Sequence, residues 1–479
     1  MSYLPGVVVT IDPRLVALLA AGLEEAAARL EGSVRAVQAV PGVGDIAPTL
    51  ATLAAVVAQA RSGAADLIRR ADVVERSGQS PPPPWLSPAQ IPLGAGLGRR
   101  SEVETRFGEA LDADLDPGGW RRWFASRPAE EAGYLADRFP AVIGRLDGAP
   151  PSSRFLANRR LVALDLLRHS ASLHRLVAAR RNRGLPLPTR AAIGRAESGL
   201  RRKLEQLTRW HDRQILLYVP GANGRMVEVF GDLGRAETVV VVIPGVGSDI
   251  TNVDQLSDAA ARLATEVSAL ADHQVAVIAW LGYDSPDGLI PAGAGVAAAC
   301  EAVPALAALV EGSTAPGARV VLVGHSYGSV AVGAALGANA VEAVAVLLGS
   351  PGTGAARAAD LGPAVWAARA SGDPIGVVPE SIHGGDPTDP EFGASRFSTG
   401  GAAGHGLDQY LGEGTESLRN VALIAAGRED EVTMWSPPTW ERLLVGITAP
   451  LLPLLAPLAL ARLASGVLPR PTCRRSLDR

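Results

Sequence analysis

The stretch Ala318-Arg319-Val320-Val321-Leu322-Val323-Gly324-His325-Ser326-Tyr327-Gly328 decides the fold class of this chain. Its first half is an apolar, β-branched run typical of a buried strand, and the small residues from Ser329 to Ala340 favour a helix. A serine between two glycines at such a junction is the pattern of a nucleophile elbow, a sharp turn that exposes the hydroxyl. The elbow needs glycine at positions 324 and 328, because side chains there would collide with the neighbouring strands. The motif predicts that Ser326 is a nucleophile; the alternative is a tight turn with an incidental serine.

The composition bounds the class of protein. The chain has 479 residues, which favours two or three domains, and its formal net charge of −4 provides no electrostatic basis for binding nucleic acid. Its two cysteines, Cys300 and Cys473, predict neither a disulfide framework nor a metal cluster. The start of the chain, Met1 to Pro5, lacks the pattern of a cleaved secretory signal. We therefore expect a cytoplasmic protein that needs no metal and no cofactor.

Composition and periodicity divide the chain into five segments. The segments are a helical hairpin (1–78), a linker rich in proline and glycine (79–102), a helical lead-in region (103–210), a sheet domain (211–435) and an apolar C-terminal tail (436–479). The first segment has two stretches of helical periodicity, 12–38 and 47–76. Such a hairpin favours a packing or dimerisation element, so residues 12–76 are a candidate surface for a helical partner. A secretion-system hairpin is the alternative, but the W-x-G turn expected of one is absent.

The tail is a candidate membrane contact. The stretch from Leu443 to Ala461 is uncharged and just long enough to span a bilayer. Three prolines, Pro450, Pro453 and Pro457, oppose a regular helix there. The alternative is a tail that packs on the helical region or lies in a membrane interface. The sequence therefore predicts a cytoplasmic protein that associates with a membrane through residues 443–468.

The period of the apolar residues changes from helical to alternating near residue 213. The runs Gln214–Val219 and Met226–Phe230 flank Gly221-Ala222-Asn223-Gly224, which indicates a β-hairpin. Later apolar runs alternate with helical stretches, and these runs are Val239–Ile243, Val275–Trp280, Val320–Val323, Ala343–Leu348 and Val365–Ala370. This alternation predicts a doubly wound, mainly parallel sheet that is covered on both faces. A hairpin that opens such a sheet, with the nucleophile after the fifth strand, is the order of an α/β-hydrolase.

A serine nucleophile needs a base and an acid, which follow it in the order Ser, acid, His. Asp373 is the best candidate acid because it follows the strand 365–370, and its rivals are Asp360, Asp386 and Asp389. Two histidines, His383 and His405, are available as the base. We favour His405, since a short strand at 394–398, a glycine-rich loop at 400–405 and a helix at 416–426 reproduce the expected end of the sheet. His383 would instead shape the pocket, and the side chain of His325 is expected to point away from the nucleophile.

The oxyanion of the reaction needs two backbone donors. One is the amide of Tyr327, at the start of the helix that follows Ser326. The other should come from the loop after the third strand, Ile243-Pro244-Gly245-Val246-Gly247-Ser248-Asp249, whose glycines let the backbone approach an anion closely. We assign this second donor to Val246, with Gly247 as the alternative.

Several separated motifs resemble a group of α/β-hydrolases of unknown function that is common in high-GC Gram-positive bacteria. The resemblance covers residues 120 to 427, and its motifs are Phe139–Pro150, Arg154, Ala157, Asn158, Arg159, Pro244-Gly245, Trp280–Pro286, Gly324–Ser329, Ser371–Ile375, His383-Gly384, Gly404-His405 and Tyr410. It implies hydrolase chemistry on the triad Ser326, Asp373 and His405, and it leaves the substrate open. The sequence thus predicts a serine hydrolase that cleaves a small-molecule or lipid ester through an acyl-enzyme. The alternative is a non-catalytic module of the same fold that docks a membrane or a secretion partner.

Overall fold

The computed structural model describes residues 97–181, 184–221, 224–286, 296–377 and 383–436. The predicted helical hairpin (1–78), and with it the candidate partner surface 12–76, lies outside the described residues. So does the candidate membrane contact at residues 443–468. Among the helices in the described ranges, none combines the length and the apolar composition that crossing a membrane requires.

Helices precede the sheet, as predicted. They are α1 (Leu97–Asp112), α2 (Pro117–Ala125), α3 (Ala129–Arg138), α4 (Pro140–Ile143), α5 (Pro151–Arg180) and α6 (Leu187–Trp210). An aromatic cluster of Phe107, Trp120 and Phe124 forms the core of the first four. Helix α1 begins at Leu97, inside the stretch predicted as a linker, although Gly98 lies in its first turn. A glycine costs a helix only about 1 kcal/mol, and burial of Val103 and Phe107 offsets that cost.

The sheet has eight strands in the order β1-β2-β4-β3-β5-β6-β7-β8. The strands are β1 (Ile215–Val219), β2 (Arg225–Phe230), β3 (Thr238–Ile243), β4 (Val275–Leu281), β5 (Arg319–His325), β6 (Val344–Leu348), β7 (Val365–Ala368) and β8 (Ser395–Arg396). The β1–β2 hairpin is antiparallel, β2 runs antiparallel to β4, and every other pairing is parallel. The predicted α/β class and the predicted hairpin are confirmed. Strand β5, which carries the elbow, lies inside the sheet between β3 and β6.

Both faces of the sheet are covered, which explains the continuous apolar runs. Alternate residues of β3 enter opposite cores: Val240 belongs to the core beneath α7 (Val253–Leu270) and α11 (Glu416–Ala425). Val241 belongs to the core beneath α8 (Ala297–Ser313) and α9 (Gly328–Gly337). A strand buried on both faces has no polar side, so its sequence does not alternate. The remaining short helix, α10 (Leu407–Tyr410), precedes α11.

Helix α5 covers the free edge of the sheet at β1. The side chain of Asn158 donates to the carbonyl of Leu216 (2.8 Å) and accepts from the amide of Tyr218 (3.1 Å). It therefore satisfies the β1 backbone much as a neighbouring strand would. Arg154 donates to the same Leu216 carbonyl (3.1 Å) and to the carboxylate of Asp147 (2.7 Å). The lead-in region and the sheet domain thus share a buried polar junction.

Candidate active site

The elbow holds Ser326 in a left-handed conformation, with a φ of 54°. A non-glycine residue in this region costs about 1–3 kcal/mol, so the surrounding structure has to hold it there. A Cβ on Gly328 would lie 2.3 Å from the carbonyl oxygen of Ile243 in β3, as the predicted collision requires. A Cβ on Gly324 would instead lie 2.7 Å from the Cα of Ser329. The second collision is therefore with the start of α9 and not with a neighbouring strand, because the turn folds the helix back onto β5.

Three of the predicted site residues form one chain of hydrogen bonds. The Nε2 atom of His405 lies 2.8 Å from the Oγ of Ser326, 79 residues away in sequence. The Nδ1 atom of His405 lies 2.8 Å from Oδ1 and 3.0 Å from Oδ2 of Asp373. When Nδ1 carries the ring hydrogen and donates it to the carboxylate, Nε2 is left as the acceptor for the serine proton. All three residues lie at the carboxyl ends of the parallel strands.

Two further donors hold Asp373. The hydroxyl of Tyr410 donates to Oδ2 (2.5 Å), and the amide of Ile375 donates to Oδ1 (2.8 Å). Burial raises the pKa of Asp373, but the hydrogen bonds from His405, Tyr410 and Ile375 outweigh it and hold that pKa below its usual value. Asp373 is therefore a carboxylate at neutral pH.

Tyr410 is a buried residue whose contacts the sequence did not predict. Its oxygen accepts the amide hydrogen of Ala370 (2.9 Å) while its hydrogen goes to Asp373. Burial raises the pKa of Tyr410 well above its ordinary value, so the side chain stays a phenol and keeps its donor. Tyr410 was noted only as part of the family resemblance. Its position five residues after His405, in a helix that closes the same loop, was the available signal.

The rival base, His383, occupies a different place. Its ring is buried and meets the ring of Tyr327 edge-on, with 5.7 Å between the centroids. Its backbone carbonyl accepts the amide hydrogen of Gly354. Since the ring of Tyr327 belongs to the residue after the nucleophile, His383 packs beneath the elbow. The structure thus brings His405 to the Ser326 hydroxyl and gives His383 a packing role.

The three rival acids are engaged in local structure. Asp386 accepts two hydrogen bonds from the guanidinium of Arg369 (2.6 and 2.7 Å), and Asp389 accepts from the amide of Glu391 (2.8 Å). Asp360 accepts from the amide of Arg357 (3.1 Å). These contacts are turns, caps and an ion pair, and Asp373 is the carboxylate that contacts His405.

The loop after β3 lies directly against the nucleophile. A Cβ on Gly245 would come within 2.6 Å of the Cβ of Ser326, so only glycine fits. The amide of Gly247 donates to the carbonyl of Pro286 (2.8 Å). Within the described ranges the amide of Val246 donates to no protein acceptor. Of the two amides that the sequence left open in this loop, that of Gly247 is engaged, and Val246 stays the predicted donor to an oxyanion. Asn252 steadies the loop by donating to the carbonyl of Gly247 (2.7 Å).

The model of an α/β-hydrolase family matches residues 220–382, which include strands β2 to β7 and the elbow. With the strand order above, this match decides the fold. The chain has the α/β-hydrolase fold.

Known relatives are similar to part of this chain. The uncharacterized protein Rv2079 of Mycobacterium tuberculosis is 29% identical over 366 residues, which cover 64% of this chain and 55% of that protein. The uncharacterized protein Rv0963c of the same organism is 35% identical over 146 residues, which cover 28% of this chain and 54% of that protein. The chain thus spans about half the length of the curated relatives it matches.

Two solved structures are similar to part of the chain. One is an α/β serine hydrolase without lid from Xanthomonas campestris, with 17% identity and a TM-score of 0.28 over 46% of this chain and 95% of that one. The other is carboxyl esterase 2 from Tuber melanosporum, with 12% identity and a TM-score of 0.29 over 46% of this chain and 85% of that one.

A cavity of about 310 Å³ opens beside Ser326. One wall is the loop after β3, and apolar side chains from α7, β4 and α10 form the others, namely Val253, Leu256, Leu281 and Leu407. The cavity is near the lower end of the sizes usual for small-molecule sites. Across the described residues, no cluster of three or more His, Cys, Asp or Glu side chains has the arrangement of a metal site.

Proposed function

We propose that this chain is a serine hydrolase that cleaves a carboxylic ester through an acyl-enzyme intermediate. The observation that carries the proposal is the unbroken hydrogen-bond chain from Ser326 through His405 to Asp373, built on a strained elbow. A serine in a left-handed turn, in contact with an imidazole that a buried carboxylate orients, has the arrangement that activates a hydroxyl. The carbonyl of the ester would enter the cavity beside Ser326.

The proposed reaction has two halves. The Oγ of Ser326 attacks the ester carbonyl while His405 takes the hydroxyl proton, and Asp373 stabilises the imidazolium that forms. The amides of Tyr327 and Val246 donate to the oxyanion of the tetrahedral intermediate. The C–O bond to the alcohol then breaks, and His405 returns its proton to the departing alcohol. A water molecule attacks the carbonyl of the acyl-enzyme while His405 takes its proton. The bond from the acyl carbon to the Oγ of Ser326 then breaks, His405 returns the proton to Oγ, and the carboxylic acid leaves.

A fluorophosphonate probe tests this proposal, because it labels only an activated serine. We expect the wild-type protein to be labelled and Ser326→Ala to remain unlabelled. Ser198→Ala is the matched control, since Ser198 is exposed on α6 and its hydroxyl donates to the carbonyl of Gly194 in the same helix. It should be labelled at the wild-type rate. A folded wild-type protein that resists the probe would instead support the non-catalytic module.

The choice of base is tested by His405→Ala and His383→Ala. We expect His405→Ala to lower kcat for a p-nitrophenyl ester by at least about 10⁴-fold, since a triad acts as a unit. His383→Ala should lose far less, with its main effect on stability, because it removes a buried ring that packs on Tyr327. Thermal melting of both variants separates lost activity from lost fold. Equal losses of turnover in two folded variants would contradict the assignment of His405.

A further inference from the structure

The residue before the nucleophile contacts the loop that carries the proposed base. His325 is the last residue of β5 and is only 7% exposed. Its Nε2 hydrogen is donated to the backbone carbonyl oxygen of His405, at 2.7 Å. Its ring lies 5.1 Å from the ring of His405 between centroids, and 5.7 Å from that of Tyr410. The sequence predicted only that this side chain points away from Ser326. The structure adds that it is a direct link between the strand of the nucleophile and the loop of the base.

The loop around His405 needs such a link. His405 lies between two glycines, and Gly404 has a left-handed φ of 95°. Glycine backbones have wide conformational freedom, so the loop itself does not hold the imidazole in one orientation. Before His405, the amide of Gly404 donates to the carbonyl of Ser371 (3.0 Å). At His405 itself, the carbonyl is held by His325. The backbone that carries the imidazole is therefore held at two points, the amide of Gly404 and the carbonyl of His405.

We propose that His325 is a positioning residue: it holds the carbonyl of His405 so that the imidazole of His405 stays in line with the hydroxyl of Ser326. The kinetic part of this inference rests on the proposed hydrolase function, whereas the contact itself does not. His325 touches neither substrate nor the proton in transfer. It acts through the backbone of the residue that does.

The charge of His325 suits this role. The charged or titratable groups that face it are His405, Asp373, Asp408 and the phenol of Tyr410. Burial, together with the charge of His405, lowers the pKa of His325 to about 4, although the two carboxylates act in the opposite direction. His325 is thus neutral at the pH where a serine hydrolase works. When His405 becomes an imidazolium during the reaction, no second cation lies beside it.

Two substitutions separate the hydrogen bond from the bulk of the ring. His325→Leu fills much of the space of the ring with an apolar side chain and removes the donor, while His325→Gln is neutral and keeps an N–H donor. We expect His325→Leu to lower kcat by about 10²-fold with little change in KM, because a shift of the base on the order of 1 Å has that effect. His325→Gln should recover most of the loss.

The matched control is His273→Leu. His273 precedes β4, at the amino-terminal ends of the parallel strands and so at the opposite end from the elbow. Its Nε2 lies 2.9 Å from the hydroxyl of Thr238. Its removal should lower stability slightly and leave kcat unchanged. The inference is overturned if folded His325→Leu retains the wild-type kcat. It is equally overturned if His325→Leu and His325→Gln are both folded and lose the same activity.

A measurement on the wild-type protein makes the inference independent of folding and of catalysis. Nitrogen NMR of the histidine rings, assigned with His325→Gln, should find His325 as the Nε2–H tautomer and still neutral as the pH falls toward its pKa of about 4. The Nδ1–H tautomer of the neutral ring overturns the contact, because Nε2 would then have no hydrogen to donate to the His405 carbonyl. If the wild-type protein is not labelled by the fluorophosphonate probe, the proposed function fails, yet the tautomer still decides whether His325 holds the His405 carbonyl.

Discussion

The carboxylate of Asp373 accepts hydrogen bonds from an imidazole, a phenol and a backbone amide, those of His405, Tyr410 and Ile375. Burial alone would favour the protonated acid, but three donors favour the charged form and the pKa of Asp373 is lowered. A carboxyl whose pKa is lower in the folded state than in the unfolded state stabilises the fold above the unfolded pKa of about 3.9. That contribution is lost as the pH falls through the folded value. The hydrogen bonds that hold the site together therefore depend on the ionisation of Asp373.

Tyr410→Phe tests this link at the scale of one atom. The change removes a donor to Asp373 and leaves the amide of Ala370 without its acceptor. We expect a loss of about 1–3 kcal/mol in the free energy of unfolding at about pH 7, and a fall in kcat of roughly tenfold. Urea unfolding should show a progressively smaller loss as the pH is lowered from the unfolded pKa of about 3.9 through the lower folded pKa of Asp373, because protonation in the folded protein removes the charge-assisted bond.

A second tyrosine is the control for this prediction. The hydroxyl of Tyr218 donates to Asp165 (2.7 Å), and the pair is buried at the junction of α5 with β1. Three strands separate β1 from β5, the strand that carries the elbow. Tyr218→Phe should lower stability by a similar amount and leave kcat at the wild-type level. If Tyr410→Phe lowers kcat no more than Tyr218→Phe does, Tyr410 has no role in positioning Asp373.

At the scale of elements, the contact between α9 and β3 keeps Ser326 in its strained turn. The Cα hydrogens of Gly328 face the backbone of β3, where a Cβ would lie 2.3 Å from the oxygen of Ile243. The helix can approach the strand this closely only without a side chain at position 328, and Ser326 has its left-handed φ at the start of this contact. The elbow is therefore a property of two packed elements as well as of five residues.

Gly328→Ala should force the helix away from β3. We expect a destabilisation of about 1–3 kcal/mol, as overpacking usually causes, together with loss of fluorophosphonate labelling in the folded fraction. Gly337→Ala is the control at the other end of the same helix. A Cβ there meets nothing within 4 Å, and alanine is the better helix former by about 1 kcal/mol. Normal labelling of a folded Gly328→Ala variant would show that the close approach is not needed.

At the scale of the whole molecule, the lead-in helices and the sheet share a buried polar junction. Asn158 in α5 pairs with both a carbonyl and an amide of the edge strand, and Arg154 adds a bond to the same carbonyl. Both side chains are buried, so neither the strand nor the helix can exchange these bonds for water. We infer that the helical region and the sheet unfold together.

Asn158→Ala tests this coupling. It leaves the amide of Tyr218 unpaired in a buried site, and we expect a loss of roughly 2–4 kcal/mol in a single urea transition. Arg175→Ala is the control on the same helix, because Arg175 is exposed and its guanidinium donates to the nearby hydroxyl of Ser172. It should cost no more than about 1 kcal/mol. Equal stabilities of the two variants, or a separate transition for the helices, would contradict the coupling.

Much of the fold was predictable from the sequence because its signals are local. Apolar runs marked β1 to β7 to within a residue or two. The glycines of the elbow indicated a turn that only glycine permits. For the site, the chain order Ser, acid, His and the glycine-rich loop directed attention to Ser326, Asp373 and His405, but the residues alone left His383 and three other aspartates open.

Only the tertiary structure decided which groups meet. The donors to Asp373, the hold of His325 on the His405 carbonyl and the pairing of Asn158 with the edge of β1 join residues that are far apart in the chain or that lack any periodic pattern. A single hydrogen bond between such residues leaves no local trace in composition or spacing, since its geometry depends on how whole elements pack. Apolar periodicity therefore determines the strands and helices of this protein, and the close packing of those elements determines which side chains come within reach of Ser326.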